Sequence, residues 1–350
     1  MSTTFVKVTE LKRFISDCLR KVGVNETYAN TTAEVFVYFD TVGVNYRGVG
    51  DLGKLLNEIN NGVVKANAVP RINKELDSTV WVTGNSGLGY VVADFCMRIA
   101  IEKAKRSGLC IVTATNSSNF GGAGYYAYLA SKSNLIGLAF SNSSCNTIVP
   151  GATKAGTGSN PIAIAAPGKE KETFLLDMAS TTVSEAKLRS AHEVQNNWAL
   201  DENKRPTAKA EKAAYLQPLG SGQEREYKGF GLALMVDVLC GVLSGSNFGP
   251  FIGRRSSRTY PANIGHCFIV LNPACFAPGF ESRLTDIIRN LRQLPPIASG
   301  TPVIVPGDGR ADRAKSVMDQ GGIELTEDQI KKCNEISTAL RVKPLTTFKK

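Results

Sequence analysis

Histidine is scarce in this chain, because its 350 residues include only two, His192 and His266. Imidazole is the side chain whose ordinary pKa best suits proton exchange near neutral pH, so histidine-based acid–base chemistry is confined to those two positions. The eight cysteines are scattered and form no C-x-x-C pair, which predicts reduced core thiols instead of a disulfide framework. With neither clustered histidines nor paired cysteines, the sequence predicts no metal site.

Long apolar runs are also missing, since no segment approaches the roughly 18 residues of a membrane span. The N-terminal residues carry charges and hydroxyls where a signal peptide would need a continuous apolar core, so a cytoplasmic protein is expected. The longest apolar segment, residues 229–243, contains Asp237 and is predicted to form a buried helix.

The net charge of +10 is modest for a chain of this size. Basic clusters occur without interleaved stacking aromatics, so neither nucleic acid nor a membrane is expected as a partner. Two interpretations of the clusters remain: a solvated surface, or attraction to anionic ligands such as a dinucleotide phosphate or a small carboxylate.

The hydrophobic pattern divides the chain into three parts. Residues 1–75 read as helical, with a first helix after a possible Thr9 cap. From residue 76 strands such as Thr79–Thr83 alternate with helices, which indicates a mixed α/β region. The tail returns to helices, and the last of them opens with a capping box formed by Thr326 and Gln329.

Several glycine-containing turns are candidate ligand sites, each with a structural alternative. Gly87 and Gly89 follow a strand, but Val92 occupies the place of the third glycine, so a tight turn competes with a dinucleotide fingerprint. Residues 119–126 (NFGGAGYY) form a strand–helix junction at which backbone donors can approach a ligand, or a plain turn. Lys228 beside two glycines suits a phosphate or carboxylate, or is a solvated lysine.

Taken in order, nine segments resemble the malate/L-lactate dehydrogenase family, the type unrelated to Rossmann-fold enzymes, which includes ureidoglycolate dehydrogenase, sulfolactate dehydrogenase and diketogulonate reductase. The resemblance extends from about residue 5 to residue 340. The matching segments are residues 47–49 (RGV), 84–89 (GNSGLG), 116–126, 158–161 (GSNP), 177–179 (DMA), 198–201 (WALD), 228–236 (KGFGLALMV), 263–266 (NIGH) and 306–307 (PG).

The resemblance implies NAD(H) or NADP(H) bound on a mixed, non-Rossmann sheet, a homodimer, and hydride exchange with a small 2-hydroxy or 2-oxo acid. It implies a dinucleotide-binding α/β core over residues 76–279, with an N-terminal helical region (1–75) packed against C-terminal helices (280–350). The cofactor-binding positions it implies are Asp177, Met178, Ala179, Ser180, Thr181, Thr182, Val183, Tyr227, Lys228, Gly307, Asp308 and Gly309.

Three positions depart from the family pattern. Leu52 stands where the resemblance implies a proton-donating histidine, Asn119 where it implies a second pocket histidine, and Leu56 where it implies a carboxylate-binding arginine. Leucine can neither donate a proton nor bind a carboxylate, so the pocket is expected to have an apolar lining at these sites. Asn119 can still donate a hydrogen bond to substrate.

Three functions remain open. The first is a family fold with impaired or lost catalysis that still binds a dinucleotide. The second is an active NAD(P)-dependent oxidoreductase with an altered substrate and another acid, for which Tyr46, Tyr125 and Asp51 are candidates. The third is a non-enzymatic binding protein that uses its basic surface.

Overall fold

The computed structural model describes residues 4–191, 194–195, 197–221, 225–255 and 258–350. His192 lies outside these ranges. None of the helices within them combines the length and apolar character that crossing a membrane requires.

Ten α-helices are α1 (Val8–Lys21), α2 (Glu26–Thr41), α3 (Leu52–Asn60), α4 (Gly89–Ser107), α5 (Ala123–Ser131), α6 (Glu185–Ser190), α7 (Glu226–Asp237), α8 (Phe280–Arg292), α9 (Asp308–Gln320) and α10 (Glu327–Leu340), counted over the described ranges. The strands there are β1 (Thr4–Val6), β2 (Arg71–Glu75), β3 (Thr79–Thr83), β4 (Leu109–Ser117), β5 (Ile136–Ser141), β6 (Thr147–Ile148), β7 (Ala155–Thr157), β8 (Ile162–Pro167), β9 (Thr173–Met178), β10 (Ala199–Leu200), β11 (Tyr215–Leu216), β12 (Ile264–Leu271), β13 (Ile323–Leu325) and β14 (Phe348–Lys349).

A seven-stranded sheet in the order β2-β3-β4-β12-β5-β8-β9 forms the centre of the fold. Strands β3 and β4 are parallel, and every other neighbouring pair in this sheet is antiparallel. The mixed sheet confirms the predicted α/β class and differs from the doubly wound parallel sheet of Rossmann folds.

Side chains that alternate along the strands supply the two faces of this sheet. Phe268 and Val270 of β12 belong to the main core, which α4 and α5 cover. Cys267 and Ile269 face the other way and pack with Val236 of α7. A smaller sheet in the order β10-β11-β6-β7 contacts this second layer, where β7 meets α7.

The two ends of the chain meet in a third sheet, where β1 pairs with both β13 and β14. Helix α1 contacts α2 and α10, and the apolar stripe of α1 is fully buried at Leu11, Phe14 and Ile15. The predicted Thr326–Gln329 capping box is present at the start of α10 and is confirmed.

Three local predictions are wrong. Helix α1 begins at Val8 after Lys7, so Thr9 is not its cap. The first 75 residues also contain β1 and β2. The apolar segment 229–243 is not buried throughout: α7 continues into a π-helical turn (Val238–Val242), and Val238 and Val242 are 49% and 58% exposed, because only one side of this segment packs on the sheet.

Candidate active site

A cavity of about 540 Å³ lies between α3, α6 and the loops that follow β4 and β5. Its lining carries more positive than negative charge. The charged lining residues in the described part of the chain are Arg47, Lys54, Arg189, Arg255 and Arg258, against Asp51, Glu58 and Glu185.

Helix α3 has two faces, and its polar face forms one wall of the cavity. Lys54, Asn57, Glu58 and Asn61 repeat at the i, i+3, i+4, i+7 spacing of one helical face, and all four line the cavity. The opposite face consists of Leu52, Leu55, Leu56 and Ile59, which are buried in the hydrophobic core.

The two leucines at family positions therefore pack in the core. Leu52 is 0% and Leu56 4% exposed, and neither lies among the described lining residues. The expectation of an apolar lining at these positions is wrong for this cavity, because the amphipathic α3 directs its charged face to the opening.

Arg255 connects two acidic side chains at the wall. Its Nε and Nη2 donate to the two carboxylate oxygens of Glu58 at 3.0 and 2.7 Å, and its Nη1 donates to Asp51 at 2.7 Å. The ammonium of Lys54 lies 3.3 Å from the other oxygen of Asp51. Burial would raise the pKa of Asp51, but the nearby Arg255 and Lys54 hold it below its usual value. Asp51 is therefore an anion at neutral pH, unsuited to proton donation.

Asn119 lies in the cavity wall with its amide nitrogen available. Its Oδ1 accepts a hydrogen bond of 2.9 Å from the backbone N–H of Gly121, while its Nδ2 has no hydrogen-bond partner within the described ranges. Asn119 can therefore donate to a ligand oxygen. Neither Tyr46 nor Tyr125 is among the described lining residues. Burial also raises the pKa of Tyr125, which opposes ionisation of that phenol.

The turn with Gly87 and Gly89 supports this wall. The Oγ of Ser118 accepts from Gly89 N at 2.8 Å and donates to the carbonyl oxygen of Gly87 at 3.0 Å. A Cβ at Gly89 would lie 2.2 Å from the carbonyl oxygen of Ser118, so the close approach requires glycine. The turn thus has a structural role beside Asn119.

His266 lies behind the wall and is fully buried. Its Nδ1 and Nε2 lie 2.9 Å from Ser141 Oγ and 2.7 Å from Ser117 Oγ, and its ring stacks on Phe120 at 4.7 Å. Burial lowers the pKa of His266 to about 3, so the ring is neutral at physiological pH. It braces the end of β4 and is not among the described lining residues.

Hydrogen bonds and an ion pair link the segments that the resemblance assigns to the cofactor. Asp177, at the end of β9, pairs with Arg310 of α9 at 2.6 Å, which places it beside the start of that helix. Ser180 O accepts from Leu219 N at 3.0 Å, and Leu219 O accepts from Gly229 N at 3.1 Å. Residues 177–183, 227–228 and 307–309 are thereby connected.

This connected region also adjoins the cavity. The backbone N–H of Ser180 donates to the carbonyl oxygen of Ser159 at 3.0 Å, and Ser159 lines the cavity. Tyr227 and Lys228 are exposed at the start of α7. No group of three or more potential metal ligands is found in the part of the chain that the structure describes.

A mixed α/β fold with a cationic cavity beside a polar loop region defines a protein suited to small anionic ligands. Residues 6–334 match the family described as malate/L-lactate dehydrogenase, and the chain belongs to this family of oxidoreductases. The chain is 36% identical over 290 residues to a malate dehydrogenase of Pyrococcus horikoshii, which covers 80% of each chain.

Two further comparisons agree with this membership. The chain is 28% identical over 329 residues to the ureidoglycolate dehydrogenase (NAD(+)) of Escherichia coli K12, with 91% of each chain covered. The solved structure of malate dehydrogenase from Pyrococcus horikoshii OT3 superposes with a TM-score of 0.90 at 32% identity, over 97% of each chain.

Proposed function

We propose that this protein binds NAD(H) or NADP(H) together with a small 2-hydroxy or 2-oxo acid, and interconverts the acids weakly or not at all. The observation that carries the proposal is the pair of side chains at the implied histidine positions, Leu52 in the core and Asn119 in the cavity wall. Family membership and the excess of positive charge in the cavity support the anionic ligand.

Dinucleotide binding is supported by the start of α9. The backbone N–H of Gly309 makes no hydrogen bond to the described residues, and a Cβ at Gly309 would meet open space. An open helix N-terminus favours a phosphate, and the exposed Lys228 supplies a cation at the start of α7. We propose that residues 177–183, 227–228 and 307–309 hold the cofactor. The relative named for NAD(+) supports this cofactor class.

Weak catalysis follows from the side chains around the substrate. When bound, a nicotinamide cofactor would supply or accept the hydride. Negative charge on the carbonyl oxygen must then be neutralised, and a positioned acid typically contributes about 10²- to 10⁴-fold to this step. Asn119 can stabilise that oxygen with a hydrogen bond from Nδ2 but has no proton to release. Asp51 is held as a carboxylate by Arg255 and Lys54.

The proposal is tested by combining a binding assay with a turnover screen. NADH and NADPH are titrated while nicotinamide fluorescence is followed, and malate, lactate, ureidoglycolate, sulfolactate and their oxo forms are offered as substrates. We expect nucleotide binding with turnover far below about 1 s⁻¹, a rate that ordinary enzymes reach. Turnover at or above that rate contradicts the proposal. Failure to bind either nucleotide also contradicts it and favours a role for the basic surface.

An active enzyme that uses another acid is a second candidate, which the position of Lys54 favours. Its ammonium can donate a proton, lines the cavity and lies against Asp51. If the screen finds turnover, Lys54→Met should abolish it, whereas Lys65→Met, which alters a lysine outside the described lining, should not.

We also propose a homodimer. Leu234, Val238 and Val242 are 49%, 49% and 58% exposed and follow one face of α7 and the π-helical turn at i, i+4, i+8 spacing. A contiguous apolar face of this kind is characteristic of a protein–protein interface, and a second copy of the chain is the partner that the family resemblance implies.

A further inference from the structure

Arg258 is a buried cation with an unused hydrogen-bond donor. Its side chain is 2% exposed and lines the cavity. Its Nη2 donates to the carbonyl oxygen of Gly253 at 2.8 Å and to Ser144 Oγ at 3.3 Å, which fixes the guanidinium in place. Its Nε has no hydrogen-bond partner in the part of the chain that the structure describes. A buried donor without an acceptor is costly, and a ligand oxygen would remove that cost.

The charge of Arg258 is also incompletely compensated. The nearest described carboxylate oxygen, on Glu58, lies 3.9 Å from its Nη1. Both oxygens of Glu58 already accept hydrogen bonds from Arg255, so Arg258 is the second cation at one carboxylate. Burial and the neighbouring Arg255 lower the pKa of Arg258, although Glu58 opposes this. An anionic ligand would therefore be stabilised here more than at a solvated arginine.

We propose that Arg258 is the carboxylate-binding residue of the cavity, in place of the arginine that the resemblance implies at Leu56. This inference rests on the proposed binding of a small 2-hydroxy or 2-oxo acid. A guanidinium N–H makes a charge-assisted hydrogen bond to a carboxylate, and the Nε–H of Arg258 is free to make one. Leu56 packs in the core, on the face of α3 that points away from the cavity. The positive charge that would bind the carboxylate is therefore supplied by Arg258, which lies in the segment before β12.

The test measures ligand affinity without turnover. L-malate is titrated by calorimetry into the full-length protein, alone and saturated with NADH, because malate and NADH are both reduced and cannot react. Arg258→Met removes the charge, and Arg258→Lys keeps a charge but removes the Nε–H donor. Arg254→Met is the matched control, since Arg254 lies in the same segment, is exposed and donates to Ala214 O outside the cavity.

We expect Arg258→Met to weaken malate binding by about 10- to 100-fold, the range of a charge-assisted hydrogen bond. Arg258→Lys should lose less malate affinity than Arg258→Met, and Arg254→Met should bind malate as tightly as the wild type does. NADH affinity should be unchanged in all three. If Arg258→Met fails to fold, the inference is tested by comparing the malate affinity of Arg258→Lys with that of Arg254→Met.

Equal malate affinity in the wild type and the Arg258 variants would overturn the inference and leave the proposed function in place. A wild type that binds NADH and no malate would also overturn the inference, and only the dinucleotide part of the proposed function would then stand. Arg258-dependent malate binding without any NADH binding would have the opposite meaning: the inference would hold and the proposed function would be wrong.

Discussion

Asn119 is the side chain at which a single substitution can restore a proton donor. It lies in the cavity wall, and its Nδ2 has no partner within the described ranges. Asn119→His should raise the rate of 2-oxo acid reduction by about 10²-fold, near the lower end of the contribution from a positioned acid. The rate should fall as pH rises above the ordinary imidazole pKa of about 6.5.

Asn61→His is the control for this substitution, since Asn61 also lines the cavity but lies at the end of α3. Steady-state rates with NADH across pH 5–9 compare the two. An Asn119→His variant that binds NADH yet is no faster than Asn61→His would show that the loss of activity has another origin.

Leu52 lies on the buried face of helix α3, and the opposite, polar face of this helix lines the cavity. Because Leu52 is fully buried among apolar neighbours, Leu52→His places a polar ring in the core and removes packing. We expect this substitution to lower the free energy of unfolding by about 2–4 kcal/mol. Asn57→His, on the cavity face of the same helix, should lower the free energy of unfolding far less. Urea denaturation of both variants checks this, and equal stability would contradict the two-faced description of α3.

The loop between α2 and α3 depends on a buried carboxyl group. Asp40 Oδ2 accepts from Val49 N at 2.7 Å, and burial raises the pKa of Asp40 to about 8 from an ordinary value of 3.8. The folded state therefore retains a proton that the unfolded chain has lost between about pH 4 and pH 8. Stability should fall as pH rises through this window, by at most about 1.4 kcal/mol per pH unit.

Asp40→Asn should flatten that pH dependence, because an amide does not titrate. The exposed Asp319→Asn on α9 is the control and should keep the wild-type slope. Denaturant midpoints measured from pH 4 to pH 8 distinguish the two. Parallel slopes in all three proteins would mean that Asp40 does not cause the pH dependence.

Short sequence patterns are sufficient to predict elements that are stabilised by interactions between residues close in the sequence. The Thr326–Gln329 box identifies the start of α10, and the alternation in Thr79–Thr83 identifies β3. Strand β1 has only three residues and exists because β13 and β14, from the far end of the chain, pair with it. Short sequence windows carry no signal for such pairing.

The candidate site was harder to predict for a similar reason. The spacing of Lys54, Asn57, Glu58 and Asn61 already indicates a polar helical face, and it could have placed Leu52 and Leu56 in the core. Arg255 and Arg258 lie opposite this face only in the folded protein. Arg255 and Glu58 are 197 residues apart in the sequence, so their contact depends on tertiary structure. No local motif marks those arginines.

At the scale of the assembled protein, the exposed apolar face of α7 should control association. Val238→Glu introduces a charge at the middle of that face and should convert a homodimer to monomers, because a carboxylate without a partner is costly to bury at an interface. Met318→Glu, at a 77% exposed apolar position on α9, should leave the assembly unchanged. Sedimentation velocity measures both. A wild type that is monomeric at micromolar concentration would contradict the proposed dimer.

The fold therefore combines a family scaffold and a cationic cavity with two side chains, Leu52 in the core and Asn119 in the cavity wall, at the implied histidine positions. Stopped-flow measurement of NADH oxidation by the NADH-saturated protein, mixed with oxaloacetate, sulfopyruvate or pyruvate, tests this combination most directly. We predict a slow reaction, at least about 10²-fold below the rate of an ordinary enzyme and accelerated by Asn119→His. A fast burst in the wild type, at 1 s⁻¹ or more and insensitive to that substitution, would contradict the account.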